Sequence, residues 1–246
     1  MPSRQEAVGG VKLRTLPVQV AAQLIRRIVA GRIEDGRAPS ELDIAQEFGV
    51  SRVVARETLK ILASLDVVDI AQGRRVTVRP QAEWDYLSPQ LIEWLPQDHV
   101  DGLLRELHQV RELLEPELAA MAAVAITDET LHRLRAALDR MASLESDSDA
   151  YLEVDHEFHM EICRAADNRI LDRIMYSARW LGAASRRVTN QSNLPAATAD
   201  HAEIYQALAN RDPDAARAAM RDHVRGQAPL LARTASREPQ RNGAPD

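Results

Sequence analysis

Apolar residues recur along most of this chain at intervals of three and four, the spacing of one face of an α-helix. Leu16, Val20, Leu24 and Ile28, with Ala21 and Ile25 beside them, predict an amphipathic helix from Leu16 to Val29 that Gly31 and Gly36 bring to an end. Pro39-Ser40 opens the next helix: Ser40 can cap it, Asp43 can return the cap, and Ile44, Ala45 and Phe48 form a short apolar face before Gly49. Ser51 can cap a third helix reaching about Leu65, with Ala55, Thr58, Leu59 and Leu62 as its core face. The period then shortens to two. Runs of β-branched residues at 67–70 and 76–78, separated by Ala-Gln-Gly-Arg-Arg, predict a hairpin with a glycine and two arginines at its tip. Two short helices joined by a Gly-Val-Ser turn and followed by a basic hairpin outline a winged helix-turn-helix.

Between 80 and 97 the pattern lapses, with Pro80, Pro89 and Pro96 among Trp84, Tyr86 and Trp94. This predicts an ordered linker whose aromatics seek burial. Helical periods resume near 98–125, 128–145, 149–166, 168–185, 197–210 and 213–232, with no competing strand pattern. Pro116 is expected to bend the first of these, and Asp212-Pro213 is a cap followed by proline at the first helical position. The expected fold class is therefore mainly α. It comprises a winged helix-turn-helix over 1–79, a linker over 80–97, an antiparallel all-helical bundle over 98–232 and a disordered polar tail over 233–246.

Charge sharpens that division. Residues 1–80 hold 13 Lys/Arg against 9 Asp/Glu, a balance of +4, and the remainder hold 18 against 28, or −10, within a net charge of −6. A small basic module carried by an acidic one suits a nucleic-acid partner for the first part only. A single cysteine, Cys163 in an apolar helical pattern, excludes an intramolecular disulfide and reads as core. No apolar run approaches the ~20 residues of a membrane span and the N-terminus lacks a secretory pattern, so a cytoplasmic protein with no membrane partner is expected.

Opposite the core face of the third helix, Arg52, Arg56 and Lys60 form one cationic stripe beginning at Ser51. A recognition helix approaches base edges with its N-terminus, and arginine has the forked donors that read guanine, whereas Lys60 suits a phosphate. In the second part, Asp155 and His159 lie four residues apart on one helix face, while His201 and His223 belong to two further helices. A carboxylate and three imidazoles drawn from three helices can converge on one divalent cation, zinc or nickel among them. His99, His108, His132 and His156 are read as ordinary core or surface residues.

The segment PSELDIAQEFGVSRVVARETLKILASLDVVDIAQGRRVTV at 39–78 resembles the winged-helix domain of the GntR family. The resemblance implies that Ser51, Arg52, Val53 and Arg56 contact DNA from the recognition helix, and that Gln72, Gly73 and Arg74 form a wing tip entering the minor groove. The chain departs from the family pattern at Ala38, Leu42 and Ala55, which implies a slightly looser core and one missing DNA contact. DHEFH at 155–159, DHAEIYQAL at 200–208 and DPDAARAAMRDHV at 212–224 resemble the FCD ligand-binding domain of the FadR branch. That resemblance implies Asp155, His159, His201 and His223 as metal ligands, Arg111 as the group that holds an effector carboxylate, and Asn168 as a cavity residue. Glu115, four residues beyond Arg111, offers the arginine an ordinary ion pair instead. The stretch WDYLSPQLIEWL is similar to one found in sugar-acid regulators, with Ser88 where they carry aspartate.

The expected protein is a homodimeric transcription regulator, a repressor in most relatives. It would bind double-stranded operator DNA and respond to a small carboxylate, a sugar acid or hydroxy acid, at a metal site. Two rivals share the same residues: a metal-dependent hydrolase or isomerase joined to a nucleic-acid-binding module, and a sensor of the metal itself. No general base or nucleophile is evident beside the metal residues, which disfavours an enzyme.

Overall fold

A computed structural model describes residues 15–33, 36–71, 75–185 and 194–226, with 180–185 as backbone only. The described chain forms two compact units. One holds the residues up to Tyr86 together with Trp94–Pro96, and the other holds Leu87–Glu93 and the residues from Gln97 onward.

The first unit packs α1 (Leu16–Val29) and α2 (Glu41–Phe48) against α3 (Arg52–Ser64). Val20, Ala21, Leu24, Ile25 and Ile28 are buried on α1, and Ala55, Thr58, Leu59 and Leu62 on α3, the faces that the spacing predicts. Ser40 and Asp43 close a reciprocal cap on α2, the Ser40 hydroxyl accepting from the Asp43 N–H at 3.2 Å and the Asp43 carboxylate from the Ser40 N–H at 2.9 Å. Gly49 ends α2 at φ 62°, a left-handed conformation that costs glycine nothing. Ser51 caps α3 by accepting from the Val54 N–H at 3.3 Å. Ser51→Ala is expected to lower stability by about 1 kcal/mol, seen as a lower urea midpoint at unchanged slope.

The hairpin is shorter than its sequence suggests: β1 (Val68–Asp69) pairs antiparallel with β2 (Thr77–Val78), Val68 facing Val78. The Val76 carbonyl instead accepts from the Ala38 N–H at 3.3 Å, so the segment before α2 takes up a bond the hairpin does not use. Gln72, Gly73 and Arg74 lie outside the described residues. The stretch after the hairpin is less irregular than its prolines suggest. A 3₁₀ turn at Gln81–Glu83 and a short helix α4 (Pro89–Trp94) occupy it, Pro89 taking the first helical position where a missing N–H is harmless. Trp84 and Trp94 are buried, as expected of them.

In the second unit, α5 (Gln97–Ala125) packs against α7 (Ser148–Ala165), α8 (Arg169–Ser185), α9 (Leu194–Ala209) and α10 (Pro213–Gly226). α6 (Asp128–Ser143) packs on α7 and α9. The shared core includes Leu118, Leu134, Met141, Phe158, Ile204 and Met220. Side-chain caps start several of these helices: Thr127 at α6, Asp147 at α7, and Asp212, whose carboxylate accepts from the N–H groups of Asp214 and Ala215. α5 runs unbroken through Pro116. α9 begins three residues before its predicted start, while the tail from 227 onward lies outside the described residues. Cys163 is buried, which pushes its thiol up and leaves it an inert part of the core.

Candidate metal centre and nucleic-acid interface

Asp155 and His159 stand one turn apart on α7, and α9 and α10 deliver His201 and His223 to the same point. One ligating atom from each lies within 4.8 Å of all the others. His159 Nε2 is 3.2 Å from His223 Nε2 and 3.3 Å from His201 Nε2, and His201 Nε2 is 3.1 Å from the Asp155 carboxylate. All three imidazoles are buried.

The proton positions follow from the opposite ring edges. His201 Nδ1 is 2.6 Å from the Ala197 carbonyl and carries the hydrogen it donates, so in the neutral ring Nε2 is the nitrogen with the lone pair. His159 Nδ1 is 2.9 Å from the Glu115 carboxylate, an approach off the ideal hydrogen-bond line but one that favours a proton on that nitrogen. With both rings neutral, two lone pairs and a carboxylate oxygen are thus turned toward one buried point, an arrangement that repels itself unless a proton or a metal cation lies between them. With metal–nitrogen bonds of about 2.0–2.1 Å, a tetrahedral site needs nitrogens about 3.3 Å apart, and the observed 3.2 and 3.3 Å match. The residues therefore fit a divalent cation.

Protonation favours the same end. Burial pushes the Asp155 carboxyl up, but contact with His201 and the neighbouring His159 and His223 outweigh it and hold the group well below the usual carboxylate range. Burial, then His201 and His159, push His223 well below its ordinary value, keeping it in the neutral form that can ligate.

Glu115, which the sequence offers only as an ion-pair partner for Arg111, also faces the histidine cluster. It is 3% exposed, and it receives Arg111 Nε at 2.6 Å on one oxygen while facing His159 with the other. Burial raises its carboxyl, yet Arg111 and His159 beside it hold it well below the usual range. The Arg111–Glu115 ion pair expected of the spacing is therefore present, but it is an interior link between the arginine and the histidine cluster. The signal lay in the burial stripe of α5, where Leu104, His108, Glu115 and Leu118 share the inner face. Asn168 caps α8, its side-chain oxygen accepting from the N–H groups of Ile170 and Leu171 at 3.2 and 3.1 Å.

On the first unit, Ser51, Arg52, Val53, Arg56 and Lys60 all lie on the exposed face of α3. Val53 is 70% exposed beside two arginines, an apolar position suited to a thymine methyl. Arg56 makes a two-pronged ion pair with Glu41 of α2 at 3.0 and 3.3 Å, and Lys60 pairs with Glu57 at 2.9 Å. Leu42, at the position where some GntR proteins carry a DNA-contacting arginine, is exposed. Among the described residues no helix is long and apolar enough to cross a membrane.

Residues 16–78 match the family of bacterial regulatory proteins called the gntR family, and residues 106–226 match the FCD domain. The Glc operon transcriptional activator of Escherichia coli K12 is 31% identical over 218 residues, 84% of this chain and 85% of that protein. The galactonate operon transcriptional repressor of the same strain is 26% identical over 210 residues, 80% of this chain and 89% of that protein. Among solved structures, that of Lar, described as controlling expression of the Listeria monocytogenes agr system, has the same fold. It aligns with a TM-score of 0.58 at 19% identity, covering 93% of this chain and all of that one.

Proposed function

The chain belongs to the gntR family of bacterial regulatory proteins and carries an FCD domain, which makes it a DNA-binding transcription regulator and not an enzyme; we propose that it is a metabolite-responsive repressor, as the galactonate operon relative is a repressor. Its effector would be a small carboxylate, a sugar acid or hydroxy acid, held at a divalent metal in the second unit. The observation that carries this reading is the buried chain from Arg111 through Glu115 to His159 and the Asp155, His201 and His223 cluster. It sets a cationic fork beside a site suited to a metal, the pair of groups that recognises a carboxylate with a neighbouring hydroxyl.

Asp155, His159, His201 and His223 would hold the ion, zinc being well suited to three neutral imidazoles and one carboxylate. When bound, the ion supplies a Lewis-acidic point for an anionic oxygen. Arg111 neutralises and orients the acid, Glu115 keeps the His159 ring turned, and Asn168 has only its amide N–H groups left to offer, since its oxygen caps α8.

Residues 1–79 would read the operator through Ser51, Arg52, Val53, Arg56 and Lys60, aided by the wing residues Gln72, Gly73 and Arg74. Residues 80–97 would join them to the effector domain of 98–232. One recognition helix reads only a few base pairs, so a homodimer on a two-fold operator doubles the contact. The exposed apolar residues Leu113 and Val124 on α5 give a second copy a surface to cover. The galactonate operon repressor among the relatives supports a sugar acid as the class of ligand.

Effector binding changes operator affinity only by its difference in affinity for the two protein states, typically about 5–150-fold. Titrating sugar acids into the metal-loaded protein on its operator should lower DNA binding by a factor in that range, with no response after chelation. Loss of DNA binding on chelation alone, without any acid effect, would mark a metal sensor instead. Absence of both responses would end the metabolite reading.

A further inference from the structure

α5 carries another polar side chain on the face that holds Arg111 and Glu115. His108 is 8% exposed, and neither ring nitrogen makes a hydrogen bond; the Glu112 carboxylate stands 3.5 Å from Nε2. A buried polar group without a partner is rare enough in a folded protein to need a ligand or a water to account for it. Burial, and then the nearby Arg111, push the imidazole below its ordinary value, so it is neutral, with one nitrogen able to donate and the other to accept.

We propose that His108 is a specificity-determining residue that hydrogen-bonds a hydroxyl of the effector while Arg111 holds its carboxylate, so that the ligand is a polyhydroxylated acid of about five or six carbons. The length follows from the helix. His108 and Arg111 are three positions apart, a rise of about 4.5 Å along the axis, which a two- or three-carbon hydroxy acid does not span with a second polar group. This deepens the carboxylate-sensor reading and rests on it.

The test is calorimetric titration of the metal-loaded full chain with D-gluconate and D-galactonate, against hexanoate and lactate. The native protein should favour an aldonate over both controls. His108→Leu should lose about tenfold or more of that preference while its affinity for hexanoate stays within about twofold, and His108→Gln should recover part of it through its amide. Should the leucine variant fail to fold, the glutamine variant decides alone, because a replaced hydrogen bond lowers aldonate affinity without touching hexanoate. An undiminished preference in the variants would mean that the ring serves only a water and would overturn the assignment. A native protein that binds lactate as well as the aldonates overturns it while leaving the sensor reading intact, and one that binds no acid overturns both.

Discussion

Replacing His159 by alanine should abolish tight binding of Zn²⁺ and erase the rise in melting temperature that saturating metal confers on the native chain. His159 Nε2 sits 3.2 and 3.3 Å from the facing nitrogens of His223 and His201, so its removal takes away the nitrogen that faces both. An ion that binds only the folded state at a thousandfold excess over its dissociation constant adds about 4.1 kcal/mol to stability, and that increment is what the variant forfeits. Glu115→Gln gives a graded control. It keeps the size of the side chain but weakens the partner that turns the His159 ring, for which a loss of roughly 10–100-fold in metal affinity is expected. Competition against a chromophoric chelator measures both affinities, and melting curves with and without chelator measure the stability term. Native-like zinc affinity in His159→Ala would show that the cluster does not hold the ion.

Arg52→Ala should weaken operator binding by about 1–3 kcal/mol, roughly 5–150-fold, and relax the base preference at one position in each half-site. Arg52 stands at the exposed first turn of α3, where a recognition helix meets base edges. Lys60, two turns further along, should behave differently: Lys60→Ala weakens all sequences about equally and reduces the salt slope by about one. Arg56 adds a second kind of effect. Its fork is engaged by Glu41, so Glu41→Ala should raise affinity for non-specific DNA by freeing a cation, while blunting the discrimination that a fixed guanidinium provides. Fluorescence anisotropy on a selected operator and on scrambled duplexes, across a salt series, separates these cases. Equal losses on both duplexes for Arg52→Ala would assign that residue to the phosphates.

The elements legible in the sequence are those whose cause is local. Ser40 and Asp43 close their cap within four residues, Gly49 stops α2 through its own backbone, and the α3 core face follows one period. Asp155 and His159 were visible as a pair because helical geometry fixes what lies four residues away. His201 and His223 could be offered from their helices and were supported by the family resemblance, but their meeting depends on how α9 and α10 bring them to α7. The interior setting of Glu115 and His108 was hidden for the same reason. Spacing alone offers Glu115 to Arg111 and leaves His108 as one histidine among several, and only burial on the inner face of α5 separates them from a solvated surface. α4 was hidden by three prolines that usually mark loops, although Pro89 occupies the helix position that proline tolerates.

His159 and His201 are 42 residues apart in the chain, and His201 and His223 lie on consecutive helices. A cation gripped by all three would act as a removable cross-link, closing a ring through α8 and clasping the α9–α10 hairpin to α7. Opening that hairpin would then require giving up the ion, so the frequency of such openings should fall as free metal rises. Amide hydrogen exchange in α9 and α10 would thus serve as a gauge of metal supply, and the same reciprocity lets any event that pries the hairpin loose expel the ion.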